Sequence, residues 1–236
     1  MQIGKKGKIW IIIGSVCLAL LIALSCCIFF VVLPAKKNKE QRLLVERYYQ
    51  EKFALYAQEN ERYADYEIDV VFLGDSLTDG YDLGKYYPQF KTANRGIGGE
   101  TSFGLEGRMS LSLYDLKPKV AVLLIGGNNL DTMLDNYENI LQGMKENVPQ
   151  TKVVVLSLTA MGGDWAHKNA QAALNNITIK ALAEKYECAF VDLFTPLYDI
   201  TTGEVHEGYT VDGAHFTHQG YETVTAQITP ILEELL

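Results

Sequence analysis

Apolar residues fall along the chain in two patterns, short unbroken runs and stripes at helical spacing, and the two alternate. The runs cover 70–73, 119–125, 153–158 and 189–192, short and rich in β-branched or aromatic residues, as strands buried on both faces require. Residues 92–94 read as one further short strand. Between them lie stripes at helical spacing. Tyr137, Ile140, Leu141 and Met144 form one, and Leu174, Ile177, Ala181 and Leu182 a second. Tyr221, Val224, Ile228, Ile231 and Leu235 give a closing helix that carries Pro230. Strands alternating with helices predict an α/β domain, with a parallel sheet covered on both faces in a three-layer, flavodoxin-like α/β/α arrangement. Residues 80–88, rich in Tyr and Gly, and 162–167 read as loops.

The N-terminal quarter follows other rules. Residues 9–33 carry no charge over 25 positions, with Lys5, Lys6 and Lys8 before them and Pro34, Lys36, Lys37 and Lys39 after. As a helix this run would be about 37 Å long, enough to cross a hydrocarbon core of about 30 Å. A cleaved signal peptide is the rival reading, but its apolar core would be about 7–15 residues long. Ala23-Leu24-Ser25-Cys26 bears some likeness to a lipoprotein cleavage site, yet apolar residues continue to Leu33. An uncleaved anchor is the expectation. Residues 34–66 hold dense charge, with Val45, Tyr49, Phe53, Tyr56, Asn60 and Tyr63 at helical spacing, and predict an amphipathic stalk helix docked on the domain. Aromatic residues and too few heptads argue against a coiled coil. The expected organisation is a basic tail over 1–8, a transmembrane anchor over 9–33, the stalk over 34–66 and a catalytic domain over 67–236.

Charge and cysteine sharpen this picture. The net charge of −8 argues against a general nucleic-acid binder. Residues 1–66 carry ten Lys and Arg against six Asp and Glu, whereas 67–236 carry 11 against 23. The basic part surrounds the apolar run, as a membrane-flanking segment does. Cys17, Cys26 and Cys27 lie in that run, so Cys188 alone remains, and 67–236 can form neither an internal disulfide nor a cysteine metal site.

Candidate chemistry begins where the first strand ends, at Gly74-Asp75-Ser76. A serine at a strand-to-helix turn lies beside backbone N–H groups, which suits a nucleophile and an oxyanion; an N-cap serine is the other reading. Such a nucleophile needs a base and an orienter for that base. Of His167, His206, His215 and His218, only His215 lies three residues after a carboxylate with a glycine between them, in Asp212-Gly213-Ala214-His215. Asp75 and Asp79 read as turn and cap residues.

These stretches resemble the SGNH (GDSL-type) hydrolase family, nearest to its platelet-activating-factor acetylhydrolase-like branch. Gly74-Asp75-Ser76-Leu77 is similar to its first motif and Asn94-Arg95-Gly96-Ile97-Gly98-Gly99-Glu100-Thr101 to its second. Gly126-Gly127-Asn128-Asn129 is similar to the third and Asp212-Gly213-Ala214-His215 to the last. Glu100 and Asn129 stand where the family usually or often has Asp. The resemblance implies the SGNH hydrolase fold, with Ser76 as nucleophile, His215 as base and Asp212 as its orienter. It assigns the oxyanion hole to the backbone N–H groups of Ser76 and Gly99 and the side chain of Asn128. It implies no cofactor and no metal. The expected protein is a membrane-anchored serine esterase of deacetylase type, with its domain outside the cytoplasm. Its expected substrates are small acyl esters, including O-acetyl groups of cell-surface glycans or lipids. An O-acyltransferase using the same residues and a catalytically silent glycan- or lipid-binding module are the competing readings.

Overall fold

The computed structural model describes residues 28–236. Two units divide the chain, 1–52 and 53–236. In the first, the described residues enter helix α1 (Leu33–Asn60), whose apolar Leu43, Leu44 and Val45 are exposed. The predicted anchor lies outside the described residues up to residue 27. Among the described residues no helix is long and apolar enough to cross a membrane.

The second unit contains the sheet. Strand β1 (Val70–Gly74) is followed by the single-turn helices α2 (Ser76–Asp79) and α3 (Leu83–Tyr86), then by β2 (Thr92–Gly96) and α4 (Ser102–Gly107). Next come β3 (Val120–Leu124), α5 (Leu134–Asn147), β4 (Lys152–Leu156), α6 (Asn169–Lys185) and β5 (Ala189–Val191). A short helix α7 (Phe194–Leu197) leads to the two-residue ribbon β6 (Tyr198–Asp199) and β7 (Glu204–Val205), and α8 (His218–Leu235) closes the chain. All five main strands are parallel, in the order β2-β1-β3-β4-β5. This is the flavodoxin-like order expected from the alternation of runs and stripes.

Period-two alternation along the strands sorts the core into two layers. Val71, Leu73, Ala121, Leu123 and Val155 face Leu105, Met109, Tyr137, Ile140, Met144 and Ile179, the side covered by α4, α5 and α6. Val70, Phe72, Val120, Val122, Val154 and Leu156 face Tyr81, Tyr87, Leu197, Val224, Ile228 and Leu232, the side covered by α3, α7 and α8. With both faces buried, the sheet leaves only its ends open to solvent.

Three sequence expectations need correction. The region expected to be an irregular loop, 80–88, contains α3, because the Asp82 carboxylate caps its first turn by accepting from the Lys85 N–H. The stalk helix stops at Asn60 rather than 66; Tyr66, at a φ of 62°, lies in the turns that follow. The apolar stripe of α6 also faces the wrong way: Leu174 and Ile177 are 60% and 69% exposed, while Ala172, Asn175, Ile179 and Ala183 are buried. Amides decide that rotation. Asn175 donates to the Leu130 carbonyl at 2.8 Å, and Asn176 pairs with both backbone groups of Leu158. Turning the leucine face inward would leave those loop carbonyls and the Leu158 N–H without partners, which is costly in a dry interior.

The last two turns of α1, from Phe53, belong to the second unit. Tyr56 is buried and donates to the Gly96 carbonyl at 2.7 Å, at the end of β2. Arg95, fully buried, pairs with Glu59, donates to Asn60 Oδ1 at 3.0 Å and stacks 4.6 Å from the Tyr56 ring. A buried guanidinium deprived of its carboxylate is strongly destabilising, about 3–5 kcal/mol for fully buried pairs and less where one partner is partly exposed, as Glu59 is.

Candidate active site

The carboxyl ends of β1 and β3, and the loop after β2, open onto one edge of the sheet. Strand β1 ends at Gly74, where a Cβ would lie 2.2 Å from Thr78 Oγ1 and 2.3 Å from the Leu124 carbonyl oxygen. Only glycine allows α2 to fold back that tightly against the strand. Asp75 then caps α2, its carboxylate accepting from the Leu77 N–H at 3.0 Å, and Ser76 opens the helix. The N-cap is therefore Asp75, and the serine hydroxyl is left for other partners.

That partner is His215. Its Nε2 lies 3.0 Å from Ser76 Oγ, and its Nδ1 lies 2.7 Å from Asp212 Oδ2. The Asp212 carboxylate also accepts from the backbone N–H groups of Ala214 at 3.0 Å and His215 at 2.8 Å. Gly213, at a φ of 88°, makes that tight turn, a backbone conformation that suits glycine. The backbone N–H and then the ring of His215 hold the Asp212 carboxyl down at about 2, so it is ionised across the working pH range. An ionised carboxylate only accepts, so Nδ1 carries the proton and Nε2 is left to accept from the Ser76 hydroxyl.

Asn128 follows β3 through Gly126 and Gly127. Its Nδ2 donates to the Glu100 carbonyl at 2.9 Å, which fixes the amide plane and uses one of its two N–H bonds. Gly99, one residue before Glu100, has a φ of 77°. Ser76, Asn128 and His215 line one cleft together with Asp75, Leu77, Leu124, Leu158, Met161 and Trp165. Gly99 and Asp212 do not line it; Asp212 reaches it through His215, and Gly99 adjoins the Glu100–Asn128 contact. The cleft holds about 90 Å³, room for a few waters or a short acyl group.

Four residues in or beside the site carry more than the sequence suggested. Asp75, read as a cap residue, does cap α2, but it is also buried beneath the cleft, and desolvation raises its carboxyl to about 6. Glu100 and Arg108 form a buried ion pair, 2.8 Å apart. The only signal for that pair is a charged residue, Arg108, among the apolar core positions Leu105, Met109 and Leu113. Asn129 bonds with Ser102, accepting from its N–H at 3.2 Å and donating to its Oγ at 3.0 Å. His167 and His206 take no part in the Ser76–His215–Asp212 cluster: His167 contacts the Asp164 carbonyl, and His206 meets the Tyr209 ring edge to face. His218 sits against Lys85, Tyr86 and Glu222. Among the described residues no three His, Cys, Asp or Glu side chains cluster as metal ligands do.

A family model described as GDSL-like Lipase/Acylhydrolase family matches residues 72–223. Platelet-activating factor acetylhydrolase IB subunit alpha2 of Rattus norvegicus is 29% identical over 191 residues, 73% of this chain and 79% of its own. A solved GDSL-like lipase from Bacteroides thetaiotaomicron aligns with a TM-score of 0.69 at 26% identity, covering 78% of this chain and 98% of that one. An acetylxylan esterase from Geobacillus stearothermophilus shares the fold, with a TM-score of 0.58 at 19% identity over 71% of this chain and 95% of its own.

The raised carboxyl of Asp75 has a consequence for stability. A group that binds its proton more tightly when folded adds stability below its unfolded pKa and loses it as pH rises through the folded value. Stability of the wild-type protein should therefore fall relative to Asp75→Asn between about pH 4 and pH 6. The shift from 3.8 to about 6 corresponds to roughly 3 kcal/mol. Urea unfolding of both proteins at pH 4 and pH 7 measures the difference. A gap that stays constant, or moves the other way, contradicts the burial argument.

Proposed function

The chain belongs to the GDSL-like lipase/acylhydrolase family and is a carboxylic ester hydrolase; from that premise we propose that it works through an acyl-enzyme on Ser76 and releases short acyl groups. The observation that carries this reading is the continuous relay from Ser76 Oγ through His215 to Asp212, at 3.0 Å and 2.7 Å.

In this scheme Ser76 Oγ attacks the ester carbonyl carbon as its proton passes to His215 Nε2. Asp212 stabilises the imidazolium through the Nδ1–H bond. The carbonyl oxygen, now an oxyanion, accepts from the N–H groups of Ser76 and Gly99 and from the second N–H of Asn128. Collapse breaks the bond to the alcohol oxygen, which takes the proton from His215. Water then enters, gives its proton to His215 and attacks the acyl carbon, and Ser76 Oγ leaves with that proton. Each step uses protein groups and water alone. His215 and Asp212 are each about half exposed, which gives water a direct approach and supports hydrolysis over transfer.

Substrate size follows from the cleft. Its walls, Leu77, Leu124, Leu158 and Met161, are apolar, and about 90 Å³ suits an acetyl or similarly short group better than a long chain. The acetyl-releasing activity in the rat relative's name points the same way. The alcohol side is the part of the substrate that lies outside the cleft, in keeping with O-acetylated glycans or lipids at a cell surface. Residues 9–33 serve as the membrane anchor and 34–60 as the stalk, with the domain on the extracytoplasmic side. Lysines flank the run on both sides and their count leans towards a cytoplasmic domain, but long domains can cross a membrane largely regardless of flanking charge.

Residues 36–236, assayed against p-nitrophenyl esters of graded length, should favour acetate and propionate over octanoate by at least tenfold in kcat/KM. Ser76→Ala should remove nearly all of that activity with an unchanged melting temperature. Activity in Ser76→Ala close to that of wild type would overturn the nucleophile.

Protease added to intact cells should remove the domain, leaving an N-terminal tag protected. Full protection of the domain with an accessible tag would mean the opposite orientation.

A further inference from the structure

Beneath the site one guanidinium bonds the ends of β1 and β2, and through Glu100 it reaches the segment after β3 that carries Asn128. Arg108 is buried, and four of its hydrogen bonds go to different partners. Nε donates to Glu100 Oε2 at 2.8 Å, and Nη1 donates to the Arg95 carbonyl at 2.9 Å and to Ser112 Oγ at 2.8 Å. Nη2 donates to the Gly74 carbonyl at 3.1 Å. Gly74 ends β1 two residues before Ser76, and Arg95 lies at the end of β2, just before the 97–101 loop. That loop folds back on the same point, since the Ile97 N–H also donates to the Gly74 carbonyl at 3.2 Å.

Glu100 is the other half of the device. Its carboxylate accepts from Arg108 and from the Thr101 N–H at 3.0 Å, and it lies so close over Gly104 that a Cβ there would be 1.9 Å from Oε1. Glu100 is 2% exposed and Arg108 3%, so neither charge can relax into water and the carboxylate is held from several sides. Its backbone carbonyl is the atom that orients the Asn128 amide, at 2.9 Å. The carboxylate therefore fixes a residue whose main chain aims an oxyanion donor.

We infer that Glu100 and Arg108 are positioning residues for the reaction, setting the Asn128 amide against Ser76. The inference rests on the oxyanion role given above for Asn128. Arg108 acts on the nucleophile side through Gly74 and on the oxyanion side through Glu100, so one buried side chain sets the separation of the two. Oxyanion donors work only when aimed at the transition state, and a misplacement of about 1 Å can cost about 10²-fold. Loosening the pair should thus lower kcat and leave substrate binding nearly unchanged.

A double-mutant cycle between Glu100 and Asn128 tests this on the full-length protein purified in detergent, with acetate ester as substrate and rates taken per folded molecule. Asn128→Ala should lower kcat about 10²–10³-fold, as loss of one oxyanion donor does. Glu100→Gln, which keeps the size and removes the charge, should lower kcat about 10–100-fold with KM within about threefold. Glu100→Asp, which keeps the charge one methylene short, should lie between Glu100→Gln and wild type. The coupling between the two positions is decisive: adding either Glu100 change to Asn128→Ala should cost less than about a further threefold, because the aimed donor is already gone. Full additivity, or a kcat in Glu100→Gln within twofold of wild type, overturns the inference while leaving the oxyanion role of Asn128 standing. Failure of both Glu100 variants to fold would also overturn it, since the pair would then be a strut of the fold. An unaffected Asn128→Ala instead removes the underlying reading of Asn128.

Discussion

The hydrogen bond between His215 and Ser76 joins residues 139 apart in sequence, and the rest of the site depends on it. It forms because a parallel sheet with both faces buried can present reactive groups only beyond its strand ends. Strand β1 delivers Ser76 to that edge, β3 delivers Asn128, and the loop after β2 brings the backbone of Glu100 against Asn128. The turn at 212–215 closes the arrangement before α8 begins, with Gly213 holding that loop to Gly162 through a 2.7 Å backbone bond. Only the Asp75 cap beside Ser76 and the Asp212–His215 turn are local.

Three carboxylates at the same edge have three different surroundings. Asp212 is half exposed, takes backbone N–H bonds and a ring N–H, and stays ionised down to about 2. Asp75 lies beneath the cleft with the Leu77 N–H as a donor and is raised to about 6 by lost solvation. Glu100 is buried like Asp75 but has a guanidinium against it. Carboxylates in neighbouring positions are thus separated by environment rather than by type, the usual way one fold keeps a charge where chemistry uses it and tames it elsewhere.

Much of this was legible in the sequence because it was written in local signals. Val70–Leu73 and the 119–125 run are apolar on both faces, so their place in the sheet needed no tertiary information. Ser76 and the Asp212–His215 pair stand at turns whose glycines and carboxylates are adjacent in sequence. The orientation of α6 was not legible, because Asn175 and Asn176 bind carbonyls of distant loops and so override the apolar stripe of Leu174 and Ile177. Burial of Asp75 and the pairing of Glu100 with Arg108 were missed for the same reason: a polar side chain becomes interior only once other strands and helices surround it. The lone arginine among Leu105, Met109 and Leu113 was the one available hint.

Covalent acylation of Ser76, and of no other residue, is the step on which the proposed chemistry turns, and trapping that serine is the most direct measurement. A fluorophosphonate, which phosphonylates a serine activated by a neighbouring base, can be incubated with residues 36–236 and the product read by intact-protein and peptide mass spectrometry. One adduct per chain is expected, on the peptide carrying Ser76, with labelling abolished in Ser76→Ala and strongly slowed in His215→Ala. An adduct on a different residue, or none on folded protein that still turns over an acetate ester, would contradict Ser76 as the nucleophile.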